Sequence, residues 1–150
     1  MNKTTFYAAG GLILLFGALQ LVPAEVTNPP VDQEPLWDSV RTAELVKVAC
    51  YDCHSNEVVV PWYGKVAPVS WLVKHDIDEG RAELNFSQMN RPPEEPDEVG
   101  ESVLTGEMPP RMYLWMHKAA RLTESERKTL AKGLDATLHV GEETLRSGLD

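Results

Sequence analysis

Cysteine is almost absent from this 150-residue chain, and the two present fall in one five-residue stretch, Cys50-Tyr51-Asp52-Cys53-His54. No disulfide framework or cysteine-rich metal site is therefore expected elsewhere. Histidine is scarce as well: beyond His54, the residues His75, His117 and His139 stand singly. They do not supply the two further ligands at short spacing that a structural zinc would need beside the cysteine pair. Basic charge is in deficit, with 14 Lys+Arg against 23 Asp+Glu and a net charge of −9. Nucleic acid and anionic membrane surfaces select basic patches, so neither is an expected partner. No strand-rich half is visible, and a helical pattern precedes Cys50. A thioredoxin-like redox pair belongs instead in the strand-to-helix turn of a βαβ unit.

What the stretch does contain is C-x-x-C-H, the attachment signature of c-type haem. Two thiols three positions apart reach the vinyl groups on one porphyrin edge. The histidine that follows then lies under the iron as a proximal nitrogen ligand. Cys50 and Cys53 are the expected thioether links, and His54 is the expected iron ligand.

Residues 1–24 stand apart. Lys3 precedes an uncharged run from Phe6 to Val22, and Val22-Pro23-Ala24 resembles a small-residue cleavage site. This pattern fits a secretory signal peptide. The run also sits at the lower limit of about 17–25 residues for a membrane-spanning helix. Either a cleaved signal or a retained inner-membrane anchor through residues 6–22 satisfies it, and either sends the rest of the chain out of the cytoplasm. The expected location is periplasmic or exported.

Residues 25–35 read as a linker, since Asn28-Pro29-Pro30 favours extended or polyproline backbone. A haem-binding domain is expected over 36–138, with a tail over 139–150. Leu36, Val40, Ala43, Val46, Ala49 and Cys50 recur at helical steps and predict a helix from Leu36 into the cysteine pair. Val58-Val59-Val60 is expected to be extended along the haem, because Pro61 and Gly64 break a regular ladder. Pro61 or Pro68 is expected to offer a carbonyl to the outer nitrogen of His54. A second helix is expected over Pro68 to Leu84, with Val69, Leu72, Val73 and Ile77 on one side. Trp62 and Trp71 are expected to wall the core or the haem pocket. A short helix from Asp97 to Leu104 ends at Gly106. In the last helix Thr123 and Glu126 form a capping box. Leu130, Leu134 and Leu138 make an apolar stripe facing the first helix, and Gly133 allows close approach.

Gly106-Glu107-Met108-Pro109-Pro110 is the second informative stretch. A thioether is a soft ligand suited to haem iron opposite histidine, and two prolines hold the backbone behind it rigid. Met108 is the favoured sixth ligand, weighed against a role as core gap-filler. His117, on the next short helical segment, is the runner-up.

The order helix–CYDCH–loop–GEMPP–capped helix resembles a class I His/Met c-type cytochrome. In finer detail the chain is similar to the small bacterial haem-binding domain family of exported or membrane-anchored proteins. The similarity rests on Asn28-Pro-Pro-Val31, Ala49 through Asn56, Pro61-Trp-Tyr63, Ala67-Pro-Val-Ser-Trp71 and Glu79-Gly-Arg81. It continues through Leu84-Asn-Phe-Ser87, Gly106 through Pro110 and Tyr113 through His117. The resemblance implies an all-α, small cytochrome c-like fold wrapped around one covalent haem c and preceded by the hydrophobic segment. It carries haem attachment onto Cys50, Cys53 and His54, and it contains both Met108 and His117. The expected function is a monohaem electron-transfer protein of the cell envelope, not an enzyme, serving redox partner proteins there. The alternative is a haem-based sensor or small-ligand binder with an open or weakly held sixth position.

Overall fold

A computed structural model describes residues 2–147, with side chains through residue 140. Seven α-helices occur among these residues: α1 (Lys3–Leu19), α2 (Val40–Ala49), α3 (Tyr51–His54), α4 (Val69–Glu83), α5 (Pro96–Thr105), α6 (Tyr113–Met116) and α7 (Glu124–Ser147). Short 3-10 turns cover Trp62–Lys65 and Lys118–Ala120. Among the described residues there is no β-strand, only a single parallel bridge between Gln33 and Gln88. The chain is all-α, as expected.

α2 starts four residues later than the apolar spacing predicts. The reason is Ser39, whose side chain accepts the Thr42 N–H and caps the helix. The capped register buries Thr42, Leu45, Val46 and Ala49, and turns Leu36 and Val40 out to solvent. α7 begins at the expected capping box. The Glu126 carboxylate accepts from the Thr123 N–H and hydroxyl at 2.9 Å each, and the Thr123 oxygen accepts the Glu126 N–H.

Leu130, Leu134 and Leu138 of α7 are buried against Leu45 and Val46 of α2 and Val103 of α5. Gly133 is what lets α7 meet α2, since a Cβ there would lie 2.1 Å from the Thr42 Oγ1. Gly100 does the same between α5 and α7, where a Cβ would lie 2.1 Å from the Asp135 Oδ1. α5 ends at Gly106 with φ 82°, a left-handed cap that favours glycine.

Two segments are more ordered than the sequence suggests. The expected linker over 25–35 is a strap fastened to the domain. Asp32 and Gln33 donate to the Ser87 carbonyl, Met89 donates to Gln33, and the Asn28 side chain bonds both backbone groups of Val58. Helix α7 continues through residue 147, so the tail expected from 139 is helical to that point; residues 148–150 lie outside the described residues. α1 has no buried residue and no packing contact with another helix. Among the described residues no helix is long and apolar enough to cross a membrane.

Candidate functional site

The cysteine pair lies at the joint between α2 and the single turn α3. Cys50 leaves helical geometry with φ −124°, yet its N–H still bonds the Val46 carbonyl at 2.8 Å. Its own carbonyl accepts the N–H groups of both Cys53 and His54, at 3.1 and 2.9 Å. That turn places Cys50 and Cys53 on one side, three positions apart, with His54 directly after. The two thiols are free and half-buried. Burial, then the neighbouring Cys53, pushes the Cys50 thiol up to about 12. Burial, then Asp76 and Asp52, pushes Cys53 up to about 11. These are neutral thiols, unlike the depressed-pKa cysteines of thiol oxidoreductases.

His54 is held from beneath by the segment after α4. Its Nδ1 lies 3.0 Å from the Leu84 carbonyl, and its own carbonyl accepts the Phe86 N–H at 2.8 Å. The expected proline carbonyl, from Pro61 or Pro68, is therefore replaced by Leu84. α4 ends at Glu83, and the extended backbone that follows aims that carbonyl at the ring. With Nδ1 donating, Nε2 keeps its lone pair and can act as a ligand. Desolvation lowers the His54 pKa, which favours the neutral imidazole that ligation requires. Phe86, fully buried, stands 6.5 Å from the His54 ring, stacks on Tyr51 and tilts against Trp37.

A polar framework fixes this arrangement. Asn85 accepts the Ser87 N–H and donates to Asn56, whose amide in turn donates to the Pro30 carbonyl. Arg81 donates to the Ser55 carbonyl, the Thr27 carbonyl and the Asn28 side chain, at 2.8, 2.7 and 3.0 Å. Gly80 permits α4 to lie against α3, because a Cβ there would sit 2.9 Å from the Cys53 carbonyl oxygen.

The other face of α3 meets α6. The Tyr113 hydroxyl donates to Asp52 at 2.8 Å, and its ring stacks on His117 at 3.8 Å. Burial, then the Asp52 bond, raises the Tyr113 pKa. His117 holds the Tyr113 carbonyl through Nδ1 at 3.0 Å, while its Nε2 faces the Tyr63 hydroxyl at 3.3 Å and Asp52 at 3.6 Å. The structure thus brings His117 to the cysteine turn with both ring nitrogens engaged.

Met108 lies beyond α5, tethered by its N–H to the Ser102 carbonyl, with an exposed side chain. No hydrogen bond, ring contact or ion pair among the described residues joins Met108 to α3. Trp62 is 75% exposed and does not wall the core. Trp71 is half-buried and donates to the Val22 carbonyl. His75 and His139 pair with Glu79 and Asp97 at the surface.

The residues present fit a covalently held haem. Two neutral thiols share a turn, an imidazole held against the Leu84 carbonyl follows them, and neighbouring segments hold exposed apolar side chains such as Leu72, Met112 and Met116. No group of three or more His, Cys, Asp or Glu among the described residues is placed to hold a bare metal ion. Sequence reasoning missed Leu84, Asn85 and Arg81 as supports of the turn. An Asn-Phe-Ser run straight after a helix was the available signal, since Asn and Ser side chains commonly close local turns.

Comparison with known families agrees with this geometry. The family model described as a haem-binding domain matches residues 14–136. No curated protein and no solved structure matches the chain.

Proposed function

Because the chain belongs to the haem-binding domain family, we propose that it is a monohaem c-type cytochrome carrying single electrons in the cell envelope. The observation that carries this reading is the His54 ring, one residue after Cys53, held with Nδ1 3.0 Å from the Leu84 carbonyl. Cys50 and Cys53 are the thioether anchors. Bound there, haem supplies a one-electron iron couple. The chain's own contribution is to hold the His54 imidazole neutral and oriented, and to close the turn with Arg81 and the Asn85–Asn56 pair.

Met108 is the favoured sixth ligand. Its thioether is exposed and its backbone is tied at Ser102, whereas the His117 Nε2 would have to leave Tyr63 to bind iron. Two protein ligands leave no substrate position, so the protein is not an enzyme in this reading. The net charge of −9 suits docking on basic faces of envelope redox partners. The exposed state of Met108 also favours one alternative, a weakly held sixth position that admits a small diatomic ligand.

Absorption spectra of the matured protein, oxidised and reduced, test the reading. A low-spin spectrum with the far-red sulfur-to-iron band, lost in Met108→Ala, is the expected result. A low-spin spectrum without that band assigns His117. A high-spin spectrum with rapid ferrous carbon monoxide binding overturns the electron-carrier reading in favour of the ligand binder. Absence of covalent haem from protein matured in a haem-attaching host refutes both.

A further inference from the structure

The hydrophobic leader and the haem-binding domain are joined by contacts that a removable signal has no reason to make. Gln20, the residue after α1, forms a two-point clasp on Ala67: its amide nitrogen donates to the Ala67 carbonyl at 3.1 Å, and its amide oxygen accepts the Ala67 N–H at 2.9 Å. Ala67 is only 3% exposed, so both of its backbone groups need protein partners. Two residues on, the Val22 carbonyl accepts the Trp71 indole N–H at 3.2 Å. A side-chain amide that reproduces a backbone pairing explains a polar residue inside the uncharged run. Independently, the family match begins at residue 14, inside α1, and so takes in Gln20 and Val22.

We propose that residues 1–24 remain on the mature protein, with Gln20 and Val22 seating the N-terminal segment on the Ala67–Trp71 edge and α1 projecting from that seat into lipid. Lipid is the fitting surrounding for α1. Beyond its first turn, Lys3-Thr4-Thr5, the helix carries no charge on any side, it touches no other helix, and Leu12, Ile13, Leu14 and Phe16 are each at least half exposed. At 17 residues it spans about 25 Å, less than the roughly 30 Å hydrocarbon core. The proposal is therefore embedding in lipid, without a requirement to cross it.

The test is intact-mass analysis of the full chain matured in a haem-attaching host and recovered separately from washed membranes and the soluble envelope fraction. The expected result is a membrane-fraction species that retains Gln20 through Ala24. A soluble species beginning at Glu25 overturns the proposal, and an unprocessed chain found in the soluble fraction overturns its lipid part. The same spectrum reports whether the mass of one haem is present, so failure here is distinguishable from failure of the haem reading. As a second measurement, Gln20→Ala in the full chain is expected to lower Tm by about 3–8 °C with haem content unchanged. An unchanged Tm would show that the clasp contributes nothing and overturn the seat.

Discussion

Gly80→Ala sets two effects of opposite sign against each other, and the structure decides between them. Gly80 lies within α4, where alanine at an unconstrained position would gain about 1 kcal/mol of helix propensity. Here the added Cβ would lie 2.9 Å from the Cys53 carbonyl oxygen and 3.2 Å from its carbon and Cβ. Ordinary contact between such atoms is about 3.5 Å, so α4 has to withdraw from α3 by about 0.5 Å. The obstacle is largely backbone, which cannot swing aside. Overpacking of this kind costs about 1–3 kcal/mol. The net expectation is a loss of about 1 kcal/mol, or a Tm lower by about 2–6 °C. The withdrawal also moves the Leu84 carbonyl away from the His54 Nδ1, because Leu84 caps α4. Thermal unfolding and haem content per folded chain should therefore fall together. Gly133→Ala is the control. It clashes with the buried Thr42 side chain at 2.1 Å, so it should lower Tm at least as far while leaving haem content per folded chain unchanged. A Gly80→Ala protein with raised Tm and full haem loading would refute the packing of α4 on the cysteine turn.

Three further outcomes follow from the same contacts. Arg81→Met keeps the aliphatic stem but removes three hydrogen bonds to Ser55, Thr27 and Asn28, and should cost about 2–3 kcal/mol in urea unfolding; a change under 0.5 kcal/mol would mean the strap is held by other means. Thr123→Ala should cost about 1 kcal/mol at neutral pH by removing the cap of α7. The Thr123 N–H and hydroxyl, followed by Arg41, hold the Glu126 carboxyl below the usual range. That contribution is present above the ordinary glutamate pKa of about 4.3 and is lost as pH falls through the lower folded value, so the gap between wild type and Thr123→Ala should narrow in acid but persist, because the Glu126 N–H bond to the Thr123 oxygen does not titrate. In haem-free protein the Cys50 and Cys53 thiols, pushed up to about 12 and about 11, should alkylate slowly at pH 8 and rapidly once unfolded; equal rates would refute their burial.

The helices that carry the core were legible because their signals are local. Thr123 and Glu126 announce the start of α7, and Leu130, Leu134 and Leu138 recur every four residues on one face. The turn that gathers Cys50, Cys53 and His54 was legible for the same reason, since the three fall within five residues. The start of α2 was misread because Leu36 and Val40 fit the apolar period, while Ser39 between them sets a register that turns both outward. The support for His54 was not legible. The Leu84 carbonyl is a backbone group thirty residues away, and no side-chain pattern specifies where it points. The strap over 25–35 reads as extended from its prolines, but its partners Ser87, Asn56 and Arg81 emerge only when the chain closes.

The pairing of α2 with α7 has a bearing on when the domain forms. Leu45 and Val46, immediately ahead of the cysteines, find their cover on Leu130, Leu134 and Leu138 near the other end of the chain. Such long-range closure is slow, because loop entropy is lost before contacts repay it. A chain emerging from its N-terminus lacks this part of the cover over α2 until nearly all of the domain has appeared. The thiols at the end of α2 therefore remain open to a covalent partner for most of the molecule's emergence. The last helix to arrive is the one that closes the fold behind them.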